Sequence, residues 1–88
     1  MKTRLSARQA GMLQILADDG PAPCKMRLVR RLYSGRGLAG SYATIDRLEA
    51  RVAATIDWLE ARGLVRTSPG ASNARRVEIT DAGRAAIA

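Results

Sequence analysis

The sequence contains no histidine, no phenylalanine and only one cysteine, Cys24. Histidine is the commonest general base and a frequent zinc ligand, so its absence excludes Ser-His and Cys-His nucleophiles and most zinc sites within the chain. A lone cysteine cannot close an internal disulfide, and we interpret it as a small side chain that is buried or half-buried. We therefore expect no enzymatic activity, no metal and no cofactor.

Aromatic residues and long apolar runs are scarce as well. Tyr33, Tyr42 and Trp58 are too few for the base-stacking platform that binds single-stranded nucleic acid. No apolar run approaches the roughly 20 residues of a membrane-spanning helix, and no apolar segment follows the charged start as it would in a signal peptide. We therefore expect a cytoplasmic protein that has no membrane partner.

Acidic residues are outnumbered by basic ones. The 88 residues include 15 Lys and Arg but only 8 Asp and Glu, which gives a formal net charge of +7. Such an excess points to a polyanionic partner. The apolar fraction of 47% is enough for the modest core of a single domain over residues 1–88, in which we interpret residues 1–5 as a flexible basic arm.

One stretch of the chain has nearly the same sequence twice. Residues 43–51 and 54–62 differ only where Arg47 of the first copy is replaced by Trp58 of the second. The copies are eleven residues apart, which is about three turns of an α-helix, so both present the same face. Since no glycine or proline interrupts residues 41–62, we predict one long helix, although the sequence leaves open whether its two halves are unbroken.

The charges of this helix are separated by sign. At about 100° per residue, the apolar face contains Ile45, Leu48, Val52, Ile56 and Leu59. One flank of that face carries Asp46, Glu49, Asp57 and Glu60, and the other carries Thr44, Arg47, Arg51, Trp58 and Arg62. Neither Arg47 nor Arg51 has an acidic residue three or four positions away, so neither is neutralised within the helix. We interpret these two arginines as available to an external anion.

The other segments predict a helix-rich fold with one hairpin. A capping box at Ser6 and Gln9 opens the first helix, and Ser41 is placed to cap the long helix after a glycine-rich turn at residues 34–40. Turn residues separate two short strands, and Thr80 can cap a short terminal helix. The predicted helices cover residues 7–17, 23–33, 41–62 and 81–88, and the predicted strands cover residues 64–68 and 74–80.

Helix, helix, turn, helix and basic hairpin is the order of a winged helix-turn-helix domain. Residues 59–66, Leu-Glu-Ala-Arg-Gly-Leu-Val-Arg, resemble the junction between recognition helix and wing in MarR-type and PadR-type transcriptional regulators. Residues 79–84, Ile-Thr-Asp-Ala-Gly-Arg, are similar to the segment that follows the wing in MarR-type proteins. The resemblance covers residues 55–87. It implies a mainly α fold with a three-helix core, a two-stranded wing and a short C-terminal helix.

The resemblance also implies a function and a set of residues. Winged helix-turn-helix regulators bind double-stranded DNA with the third helix in the major groove and the wing on the backbone or in the minor groove. By position, the residues expected to contact DNA are Ser41, Tyr42, Thr44, Arg47, Arg51, Arg36, Arg75 and Arg76. The wing arginines among them are expected to meet phosphate rather than bases. The protein would then be a transcriptional regulator associated with the nucleoid.

Some alternatives stay open at this point. A winged helix can also serve as a protein-protein interaction module that docks on a larger complex. The protein can bind as a monomer or as a homodimer, since the sequence does not state the spacing of half-sites. Trp58 can cover the wing or a neighbouring helix, make a dimer contact or contact DNA.

Overall fold

A computed structural model describes residues 4–33 and 42–88, apart from the side chains of residues 42–45 and Asn73. Three helices, α1 (Ala7–Asp19), α2 (Lys25–Tyr33) and α3 (Tyr42–Ala61), precede a hairpin of β1 (Val65–Pro69) and β2 (Arg75–Ile79), and α4 (Asp81–Ala86) follows. The expected helix-rich fold with a two-stranded antiparallel sheet is therefore confirmed. The glycine-rich turn and Ser41 lie outside the described residues.

The first helix begins at the predicted capping box. The backbone N–H of Gln9 donates to the Ser6 hydroxyl oxygen at 3.2 Å, and the Ser6 N–H donates to the side-chain oxygen of Gln9 at 2.8 Å. The helix continues two residues beyond the predicted end, because Asp18 and Asp19 accept side-chain hydrogen bonds from Gln14 and from Arg31 of α2. These bonds hold the last turn in helical conformation before Gly20.

The segment that connects α1 to α2 forms one antiparallel bridge with β2 of the sheet. The N–H of Ala22 donates to the carbonyl of Val77 at 2.8 Å, and the N–H of Val77 donates back to Ala22 at 2.9 Å. This single antiparallel bridge holds the residues around Ala22 extended beside β2. The sequence predicted that α2 begins at Pro23. Because of this bridge, the helix begins two residues later, at Lys25.

The long helix α3 is continuous over 20 residues, which answers the question that the sequence left open. Val52, Ile56 and Leu59 are buried as predicted, and Leu48 is half-buried. The side chain of Ile45 lies outside the description. A residue that the apolar pattern did not select, Thr55, is also buried, and its hydroxyl donates to the carbonyl of Arg51 at 2.9 Å.

The core lies where α1, α2 and α3 meet the inner side of the hairpin. Its fully buried side chains are Met12, Leu13, Leu16, Leu28, Val29, Val52, Leu59 and Val77. α4 lies beside this core. The Thr80 hydroxyl accepts the Gly83 N–H at 3.1 Å and donates to the Gly63 carbonyl at 2.6 Å, so the predicted cap also joins α4 to the end of α3.

Gly83 is buried because α4 approaches the start of the hairpin closely. A β-carbon at this position would overlap the carbonyl oxygen of Leu64 and the side chain of Ile79. Only glycine therefore lets α4 pack at this distance. This contact explains the glycine of the segment after the hairpin in terms of packing and not of ligand binding.

Candidate nucleic-acid interface

The acidic flank of α3 is bonded to other parts of the chain. Glu49 forms an ion pair with Lys25 at the start of α2, with 3.0 Å between the Lys25 nitrogen and the Glu49 oxygen. Asp57 and Glu60 both pair with Arg75 at the start of β2, at 3.2 and 3.1 Å. Three of the four carboxylates on this flank are therefore neutralised by cations of the same chain.

Arg75 belongs to a compact polar cluster that joins the hairpin to α3. Its guanidinium also donates to the Thr67 hydroxyl oxygen at 3.2 Å. The N–H of Thr67 donates to Glu60 at 3.2 Å, and the Thr67 hydroxyl donates to the same carboxylate. The cluster ties both strands to the second half of α3. Arg75 is thus a cation with internal carboxylate partners, although the sequence had suggested it as a contact to phosphate.

The opposite flank of α3 has a different electrostatic character. Arg47 and Arg51 are exposed, and neither meets a carboxylate within the part of the chain that the structure describes. Ala50 and Ala54 are exposed beside them. At about 100° per residue these four positions fall within an arc of about 100° on the outer side of α3. The helix therefore presents a narrow face of small side chains beside two guanidinium groups that have no carboxylate partner in the described ranges.

Trp58 lies on this same flank, nearer the C-terminal end of α3. Its ring is half-buried and packs against the core. The guanidinium carbon of Arg62 lies 3.6 Å from the ring centroid, and an N–H of the same group donates to the Trp58 carbonyl at 3.3 Å. This cation-π contact covers the outer face of the ring. Trp58 therefore does not form an open apolar patch here.

The hairpin carries one more exposed arginine. Arg76 follows Arg75 in β2, and within the described residues it has no carboxylate partner. Successive side chains of a strand point to opposite faces, so Arg76 points away from the cluster that holds Arg75. It lines a shallow groove together with Arg27 of α2. Arg27 and Arg76 are far apart in the sequence, so they line the same groove only because of tertiary packing.

The predicted contact residues divide into groups. Arg47, Arg51 and Arg76 are exposed cations, whereas Arg75 is paired. Tyr42 and Thr44 lie in the first turn of α3, and their side chains are outside the description. Ser41 and Arg36 lie outside the described residues. Two elements, α3 and β2, thus carry the exposed part of the candidate interface.

Comparisons with known proteins add no relative to this picture. No family model, no curated protein and no solved structure matches the chain. Within residues 4–33 and 42–88, no group of three Asp, Glu or Cys side chains converges as a metal site would require. In the same part of the chain, no helix is both long enough and apolar enough to span a bilayer.

Proposed function

We propose that this chain is a small, sequence-specific DNA-binding regulator of transcription, with α3 in the major groove and the hairpin beside the backbone or the minor groove. The observation that carries the proposal is the separation of charge on α3. Three carboxylates of its acidic flank pair with Lys25 or Arg75. On the other flank Arg47 and Arg51 are exposed and have no carboxylate partner among the described residues. The internal pairs neutralise three of the four carboxylates on the acidic flank and so reduce its repulsion of a polyanion.

The exposed face of α3 has a shape that suits a groove. A helix of 20 residues is about 30 Å long, and its outer side carries the small side chains of Ala50 and Ala54. Small side chains allow the helix backbone to approach the groove floor, and an alanine methyl can contact the methyl group of thymine. The longer arginines beside them can reach base edges or phosphates from the same position.

The chemistry of arginine supports direct reading of bases. A guanidinium can donate two hydrogen bonds to the O6 and N7 atoms of guanine, and each such pair contributes about 1 to 3 kcal/mol of discrimination. The net charge of +7 adds attraction that is independent of sequence and is weakened by salt. Arg47 and Arg51 are the described residues of α3 that we assign to this role.

The order of the elements is a further support. The chain order is α1, the bridging residue Ala22, α2, α3 and then the hairpin. The hairpin is bonded to α3 through Arg75 and Glu60. The three helices and the hairpin are compatible with the resemblance to winged helix-turn-helix regulators, which implies a three-helix core and a two-stranded wing. The alternative, a protein-docking module, would be favoured by an exposed apolar patch around Trp58, but Arg62 covers that ring.

The proposal is tested by selecting bound sequences from random DNA duplexes at moderate salt. We expect a defined motif, and the number and spacing of its half-sites would report the oligomeric state. With the selected duplex, Arg47→Ala should weaken binding by about 1 to 3 kcal/mol and relax the preference at one base position. Arg8→Ala is the matched control, since it removes one exposed charge from α1 and leaves the ion pairs of α3 intact.

Two results would contradict the proposal. One is the absence of duplex binding at low ionic strength, where the attraction between a cationic protein and DNA is strongest. The other is an affinity that does not change with salt, because phosphate contacts release counterions and must produce a salt dependence. A selection that returns no motif while binding depends on salt would limit the activity to binding without sequence preference.

A further inference from the structure

A shallow groove lies between the α1–α2 connection and the turn of the hairpin. Pro21, Pro23 and Pro69, the three prolines of the chain, form much of its wall together with the small residues of the turn. Arg27 and Arg76 supply the cations of the lining, and no acidic side chain lines the groove. Two guanidinium groups from distant parts of the sequence thus meet at one concave surface.

The walls of this groove are held in place by the backbone. The double hydrogen bond between Ala22 and Val77 joins the proline-containing segment to β2, beside Arg76. The turn is closed by the Gly70 N–H, which donates to the Ala74 carbonyl at 2.6 Å. Proline has a fixed φ angle and adds rigidity on both sides. A site whose walls are set before binding loses little conformational entropy when a ligand enters.

The charge of the groove is uncompensated in the described structure. Arg27 and Arg76 are exposed, and neither has a carboxylate partner among residues 4–33 and 42–88. Arg27 lies in the first turn of α2, where no acidic residue is present. The partial positive charge at the start of that helix therefore adds to the two guanidinium charges. This charge suits an anion with several oxygen acceptors.

We propose that this groove is a second phosphate-binding site, in which Arg27 and Arg76 hold one phosphodiester of the DNA whose major groove receives α3. The inference rests on the proposed function and adds a contact away from α3. Arginine suits the role because its planar group can donate two parallel hydrogen bonds to phosphate oxygens. The neighbouring arginines of β2 then have separate tasks: Arg75 fastens the hairpin to α3, and Arg76 faces the phosphate.

The test compares three single variants and one double variant in duplex titrations over a range of salt concentrations. Each phosphate contact contributes about 0.9 to the slope of log K against log salt. Arg27→Gln and Arg76→Gln should each lower that slope by about one unit and weaken all sequences alike. The double variant Arg27→Gln/Arg76→Gln should also lower it by about one unit, since both arginines hold the same phosphodiester. The selected base motif should be the same for all four proteins.

Arg75→Gln is the matched control, because it removes the same charge from the adjacent position of the same strand. Its salt slope should equal that of the wild type, since Arg75 is paired inside the chain. If the double variant keeps the wild-type slope while the wild type binds duplex, the groove is not a phosphate site and the proposed function stands. If the wild type binds no duplex, the proposed function and this inference are both overturned.

Discussion

The cluster around Arg75 allows a quantitative prediction for Arg75→Gln. The wild-type side chain bonds to Asp57, Glu60 and Thr67, and it is 51% exposed. Exposed ion pairs contribute about 0.2 to 1 kcal/mol each because solvent screens them. Two such pairs, discounted for this exposure, give an expected loss of about 1 kcal/mol in the free energy of unfolding. No large penalty is added, since the carboxylates left behind remain in contact with water.

The assay is equilibrium unfolding in urea, followed by the fluorescence of Trp58, the single tryptophan. In thermal unfolding followed by the same fluorescence, a loss of about 1 kcal/mol should lower the melting temperature by about 4 to 8 °C in a domain of this size. The difference should shrink in high salt, which screens the pairs. Arg76→Gln is the control, because removing an unpaired surface charge should change stability by less than about 0.5 kcal/mol.

A double-mutant cycle isolates the contact from other effects of the substitution. Arg75→Gln and Glu60→Gln should lose less together than the sum of their separate losses, since both remove the same ion pair. A coupling energy near zero, combined with wild-type stability of Arg75→Gln, would refute the reasoning. The hairpin would then be held to α3 by its apolar contacts alone.

Two further predictions concern packing, and both can be measured by the same unfolding assay. Gly83→Ala should destabilise the fold by about 1 to 3 kcal/mol, because the new methyl group overlaps the Leu64 carbonyl and Ile79. Ala82→Gly, at the exposed neighbouring position, is the control. Equal losses of stability in the two variants would contradict the close approach of α4 to Leu64. Leu59→Ala should cost about 2 to 5 kcal/mol, since the side chain is fully buried. A loss below 1 kcal/mol would contradict its place in the core.

Local patterns were sufficient to predict most of the fold. The repeat with a spacing of eleven residues predicted the continuous α3, because three helical turns bring both copies to the same face. The pair Ser6 and Gln9 located the start of α1, since a capping box is a contact between neighbours in the sequence. The bridge between Ala22 and Val77 was not predictable, because a single residue has no periodic pattern.

The candidate site was less accessible to sequence reasoning. The unpaired state of Arg47 and Arg51 followed from their own helix, and the described structure adds no carboxylate to them. The ion pairs of Arg75 were not predicted, because its partners lie 18 and 15 positions earlier in the chain and meet it only in the folded hairpin. The shared groove of Arg27 and Arg76 likewise depends on tertiary packing.

The most direct test of the central claim is a comparison of two double variants that lose the same charge. Arg47→Ala/Arg51→Ala alters the outer face of α3, and Arg8→Ala/Arg84→Ala alters exposed arginines of α1 and α4. Duplex affinity and base preference are measured for both at one salt concentration. We predict that the α3 variant loses the preference for the selected motif, while the control keeps it. Equal losses in both variants would show that net charge, and not α3, determines binding.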